Sequence, residues 1–346
     1  MPKRLHPFLL ALAFLAFLAS AAYAEEPQPE PGPGPLQPPT LEEPGAAPEA
    51  EVAAEEESAG MTSEDLEDWI LESPAAVRTM LGVKFGSAAI GLLLLVLLWV
   101  RWERVRVGVL PAPEPITATT PFPLSTALMI LGGALVSVVL GGMVLAQASL
   151  DEGSANAAGM LVTQGLLLGA AALVILRRRQ LGAGPRRSPT DVTARAFAAF
   201  FIACALVIPV MMLNVLILQW VGHPLTVYKP VEEVIRGSGT SRAWVITVLA
   251  AVLAPVAEES LFRGMLYPAI RSSLPRLKHA ALFSAVLTSA IFALMHPHPP
   301  SWLPLFALAM VLTWIFERTN SLAAVIGAHA LWNISTLLPL LIRGMA

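Results

Sequence analysis

Polar and apolar positions along this chain do not alternate at the short periods of water-soluble strands or amphipathic helices. They fall into long apolar runs separated by compact polar clusters. Such runs lie at about Val83–Val100, Ser125–Ala146, Gly159–Leu176, Ala194–Val221, Ala243–Leu261, Ala280–Met295, Trp302–Phe316 and Leu322–Ile342. A helix needs about 20 apolar residues to cross the hydrocarbon core of a bilayer, and most of these runs are close to that length. The pattern therefore predicts an all-α, polytopic membrane helix bundle of about eight transmembrane helices. Composition agrees: 55% of the 346 residues are hydrophobic and only 14% are charged, a balance that water-soluble domains rarely reach.

Ahead of the runs the chain changes character. Residues 1–24 have a basic start (Lys3, Arg4), an apolar stretch from Phe8 to Leu18 and small residues ending at Ala22-Tyr23-Ala24, the layout of a cleavable secretory signal peptide; the alternative is an uncleaved first helix. Residues 25–80 read as a disordered, exported acidic tail rich in Pro, Glu and Ala, with one short helix near Thr62–Leu71. Between Glu25 and Glu72 stand fifteen acidic residues and no Lys or Arg, whereas ten acidic and twenty basic residues follow Ser73. A segment so poor in apolar side chains cannot repay the entropy of ordering its chain.

The basic residues cluster at run ends: Arg101, Arg104 and Arg106 after the first; Arg177, Arg178, Arg179, Arg186, Arg187 and Arg195 after the third; Arg271, Arg276 and Lys278 after the fifth. By the positive-inside rule these loops face the cytoplasm, which leaves the acidic tail outside, in agreement with the signal peptide. No basic stripe is present, which argues against nucleic acid as a partner; the lipid bilayer is the expected surrounding. The single cysteine, Cys204, excludes an intrachain disulfide and any cysteine-based zinc site. The Gly132-Gly133 and Gly141-Gly142 pairs are expected to serve close helix packing.

Ionisable groups within a span are costly and need compensation. They concentrate in the last third of the chain. Glu258, Glu259 and Arg263 interrupt the fifth run. On a helix Glu259 and Arg263 are one turn apart and can pair, while Glu258 points about 100° away, available for another purpose. Phe292 and His296 end the sixth run, and His329 and Asn333 lie one turn apart inside the last. Singly, each group has an ordinary explanation: an interfacial charge cluster, a structural histidine, an interhelical hydrogen bond. Three neighbouring helices that all carry acid, base or ligand groups point instead to catalysis. For Glu258 and His296 to meet, the fifth helix has to continue to about Ser272, placing the site part-way into the membrane.

These residues resemble the CPBP family, the CAAX proteases and bacteriocin-processing enzymes that include the Ras-converting CAAX endopeptidases. Glu258-Glu259 followed by Arg263, then Phe292 with His296, then His329 with Asn333 match the family's three motifs in order, over about Trp244–Ile342. The resemblance implies that residues 241–346 form a catalytic transmembrane core, with residues 81–240 as N-terminal helices outside it. It further implies that Glu258 and His296 activate a water, that His329 and Asn333 stabilise the oxyanion, and that Glu259, Arg263 and Phe292 support them. A metal-free glutamate mechanism requiring no cofactor is favoured. Zinc bound by Glu258, His296 and His329 is the alternative, although no HExxH sequence is present.

The expected function is intramembrane endopeptidase activity on peptide or protein substrates in the membrane. Two other readings are a catalytically inactive scaffold or assembly factor of the same fold and a proton-coupled transporter. The intact motif set weighs against the first, the lack of paired broken spans against the second. A secretory signal with an acidic exported tail suggests the inner membrane of a bacterial cell.

Overall fold

The computed structural model describes residues 74–106, 122–145, 152–182, 188–223, 231, 234, 241–296 and 298–343. All of them fall in one compact unit, Ala54–Ala346. The segments expected to be a signal peptide, an acidic tail up to residue 73 and, near Thr62–Leu71, a short helix lie outside the described residues. No strand occurs among the described residues.

The described residues form eight long helices: α1 Pro74–Arg106, α2 Leu124–Leu145, α3 Glu152–Gln180, α4 Pro189–Trp220, α5 Ser241–Ser273, α6 Ala280–Leu294, α7 Trp302–Thr319 and α8 Leu322–Arg343. Seven are long and apolar enough to cross a membrane, and α6 is a shorter apolar helix. The chain is a multi-pass membrane protein. Helix α1 starts earlier than the sequence suggested: residues 74–80, assigned to the tail, are its first turns. Pro74 explains the start, because its fixed φ suits the first helical position and its missing N–H would have no partner there.

Helix α5 has five consecutive segments, Ser241–Val248, Leu249–Leu253, Ala254–Leu261, Phe262–Leu266 and Tyr267–Ser273, and it runs through to Ser273 as required. The second and fourth segments are π-helical, a feature the apolar pattern does not encode. Each is followed two residues on by a proline, Pro255 and Pro268, in the first turn of the next α segment. A proline inside a helix removes one backbone donor and crowds the preceding turn, and one extra residue in that turn relieves the crowding.

Helix α5 is also the central one. Of its most apolar window 61% is buried, against 17% for α1 and for α2 and 11% for α3. Exposed Leu93, Met129, Val136, Val144 and Leu213 on the outer helices form the surface that lipid covers. Two buried clusters flank the centre. One joins Phe200, Cys204 and Val207 of α4 to Leu308 and Leu312 of α7 and to Val325 and Ala328 of α8. The other joins Leu131 of α2 and Val174 of α3 to Phe262, Met265 and Leu266 of α5 and to Phe292.

Glycines allow the tightest approaches. A Cβ at Gly91 would lie 1.9 Å from the carbonyl oxygen of Phe201, and one at Gly327 would lie 2.8 Å from the Ala196 methyl. Of the two glycine pairs noted in the sequence, only Gly141 has a close neighbour, Val162, at 2.8 Å; Gly132, Gly133 and Gly142 have none within 4 Å. The packing expectation thus holds for one glycine of four. At the other three a side chain would meet open space.

Candidate active site

The turn between α5 and α6 sets the site's depth. Glu258 stands fifteen residues before Ser273 and His296 sixteen after Ala280, so antiparallel packing brings the two to the same level. Helix α6 has 15 residues, about 22 Å at 1.5 Å per residue, too short to cross the roughly 30 Å core.

The two neighbouring glutamates have separate environments. Glu259 is completely buried, and its Oε1 accepts from Arg263 Nη1 and from His329 Nδ1, each at 2.9 Å. Its Oε2 is buried without a hydrogen-bond partner. Arg263, also fully buried, donates from Nη2 to the Ala309 carbonyl at 2.9 Å and from Nε to Thr313 Oγ1 at 3.3 Å. Its guanidinium carbon lies 4.9 Å from the Phe292 ring centroid. Removing a charge from water is tolerated only when it is paired and hydrogen-bonded, and this clamp between α5, α7 and α8 satisfies the condition. Glu258 has side-chain exposure of 19% and is thus the accessible member of the pair.

Glu258, His296, His329 and Asn333 all line one cavity of about 210 Å³. The remaining walls come mainly from Ala250 and Ala254 of α5, Trp332 of α8, and Met160 and Gln164 of α3. His329 Nε2 stands 3.9 Å from Glu258 Oε2, beyond hydrogen-bond length and suited to a shared water or substrate oxygen. His296 Nδ1 is 2.8 Å from the Phe292 carbonyl. A carbonyl only accepts, so Nδ1 carries the proton and Nε2 is the acceptor nitrogen of the neutral ring. The Trp302 indole N–H donates to the His296 carbonyl at 2.8 Å, fixing the loop after α6.

Asn333 is held by a carbonyl that the π segment sets free. Ala254 N–H donates to Leu249, five residues back. In that register the next donor would serve Ala250, but it is Pro255 and has no N–H. The Ala250 carbonyl is taken instead by Asn333 Nδ2 at 2.8 Å. A related arrangement occurs at Pro268, which cannot supply the α-helical N–H to Gly264, four residues back; there Arg178 Nη1 donates to the Gly264 carbonyl at 3.2 Å.

The four candidate catalytic residues thus share one cavity, and Glu259, Arg263 and Phe292 stand behind it. Sequence reasoning missed the roles of three side chains on α1 and α3. Lys84 is buried in α1, donates to the Trp332 carbonyl at 3.1 Å and lies 3.6 Å from the Trp332 ring centroid. As a lone cation in an apolar run it carried the same signal as Glu258. Arg178, counted as a topology signal, is buried, because the freed Gly264 carbonyl and the Phe316 face, 5.5 Å away, accept it. Gln164 lines the cavity, and a neutral amide leaves little trace in a hydropathy pattern.

As for a metal, no group of three or more His, Cys, Asp or Glu side chains among the described residues is gathered as an ion-binding set. Glu258, His296 and His329 share a cavity without converging on one point, so no step is routed through zinc.

Residues 240–335 match the family model described as Type II CAAX prenyl endopeptidase Rce1-like, in line with the CPBP resemblance. That segment covers α5 to α7 and most of α8. No curated protein matches the chain, and no solved structure does.

Proposed function

We propose that this chain is an intramembrane endopeptidase in which Glu258 is the general base for attack of water on a peptide carbonyl. The observation that carries the proposal is the convergence of Glu258, His296, His329 and Asn333 on one cavity, within a segment that matches a peptidase family. Glu258 and the acceptor nitrogen of His296 take hydrogen bonds from the water; Glu258 removes a proton as the water oxygen bonds to the carbonyl carbon. The tetrahedral oxyanion receives hydrogen bonds from Asn333, which keeps a second amide N–H beyond the one given to Ala250, and from His329. His329 Nδ1–H is committed to Glu259, so its Nε2 donates when the ring is doubly protonated. Glu258 then returns its proton to the amide nitrogen, the C–N bond breaks, and a carboxylic acid and an amine leave, the acid then losing its proton to the amine.

A positioned general base contributes about 10²–10⁴-fold to rate, and donors aimed at the oxyanion about 10²–10³-fold each. Burial strengthens both effects by excluding competing water. Glu259, Arg263 and Phe292 act through His329, holding its ring in one orientation. The test is Glu258→Gln in purified protein: peptide cleavage falls by about 10³-fold while the unfolding temperature is unchanged. Cleavage at the parental rate would refute the role. The acidic tail and the signal peptide support a bacterial inner-membrane setting with the tail outside the cytoplasm.

A further inference from the structure

We infer that Gln164 of α3 binds the substrate main chain, making α3 the second wall of the substrate cleft. The inference rests on the hydrolase reading above and adds a residue outside the matched segment 240–335. Gln164 lines the same cavity as Glu258, His329 and Asn333, from a helix packed against the Ala254–Leu261 segment of α5. Its Oε1 is fully buried and has no hydrogen-bond partner. A buried acceptor that no protein donor reaches is unfavourable, and a turn of the amide into the cavity offers that oxygen a donor arriving from outside. The donor that every peptide substrate brings is the backbone N–H. An extended segment is the form whose N–H groups are available, since a helix spends its own internally. Gln164 therefore holds an extended strand of substrate beside the scissile bond and reads its backbone, leaving side-chain selection to the apolar lining of Met160, Leu305 and Trp332.

The test uses the full-length protein in detergent micelles and a proteome-derived peptide library, from which the fastest-cleaved peptide is taken for kinetics. Gln164→Met keeps the volume and removes the amide. KM is expected to rise by about tenfold to a hundredfold with kcat within about twofold, the signature of lost uniform binding. The unfolding temperature is expected to hold or rise, because an unpaired buried acceptor has been removed; a packing role would lower it. N-methylation of successive peptide amides supplies the second arm. One position near the scissile bond should raise KM by about tenfold in the parent and have no further effect in Gln164→Met, as coupled partners behave in a double-mutant cycle. Unchanged KM in Gln164→Met, or N-methyl penalties that are the same in both proteins, overturns the inference while leaving Glu258-dependent cleavage intact. Absence of Glu258-dependent cleavage in the parent overturns the inference together with the reading on which it rests.

Discussion

The two halves of this membrane domain solve opposite problems. Helices α1 to α4 present apolar side chains to lipid and pack through small residues such as Gly91, whose missing Cβ admits the Phe201 carbonyl. Helices α5 to α8 enclose Glu259, Arg263 and His329, polar groups that lipid would reject, and satisfy them with one another. The difference is not a clean division between scaffold and machine. Lys84 and Arg178 reach from α1 and α3 to carbonyls of α8 and α5. The outer half thus braces the inner one at the backbone groups that carry the site.

The comparison is broken most severely by Glu259→Ala. It strands the fully buried Arg263 and removes the acceptor of His329 Nδ1. Breaking a buried ion pair from one side costs about 3–5 kcal/mol, so thermal unfolding in detergent should show a large fall in midpoint and cleavage should be lost with it. A midpoint near the parental value would mean that the clamp does not hold the inner half.

Pro255→Ala acts more locally. It restores an N–H that competes for the Ala250 carbonyl and so loosens Asn333. We expect kcat to fall by about tenfold to a hundredfold, below the roughly 10²–10³-fold cost of deleting an oxyanion donor. The Asn333→Ala variant supplies the control: adding Pro255→Ala to it should cost little more, because both act on one donor. Full additivity would place the role of Pro255 elsewhere.

Lys84→Met tests whether the outer half braces the inner. It removes one hydrogen bond and one cation–π contact, together worth on the order of 1–3 kcal/mol in a desolvated setting. Loosening of Trp332 between His329 and Asn333 should lower kcat a few-fold, with only a modest loss of stability, read in parallel cleavage and unfolding measurements. An effect on stability alone would confine Lys84 to packing. Smallest of all is the expected effect of metal removal: 1,10-phenanthroline should leave the cleavage rate within about twofold. Loss of cleavage, restored by added zinc, would assign Glu258, His296 and His329 to a metal.

Much of this architecture was legible because lipid imposes one rule at a time. Long apolar runs gave all eight spans, and the one-turn spacing of Glu259 and Arg263 gave their pairing. The reach of α5 to Ser273 followed from requiring Glu258 and His296 to meet. The rest depended on what touches what. A proline in an apolar run signals a disturbed helix, yet whether the disturbance is a kink or a π turn depends on the side chain that takes the freed carbonyl; for Ala250 that is Asn333, 83 residues away. Arg178 sits among three arginines at a span end, and only the neighbouring Gly264 carbonyl separates it from a topology signal. The start of α1 at Pro74 was obscured because its first turns are only moderately apolar and follow an acidic tail.

A water-activating centre assembled around Glu258 in one cavity would incorporate solvent oxygen into the product, which isotope transfer reads. Purified parent and Glu258→Gln proteins are each incubated with the peptide library in water enriched in ¹⁸O, and new carboxyl termini are examined by mass spectrometry. The account predicts new termini carrying one ¹⁸O atom with the parent protein and none above background with Glu258→Gln. Equal labelled cleavage by both proteins, or no cleavage by the parent, would contradict it.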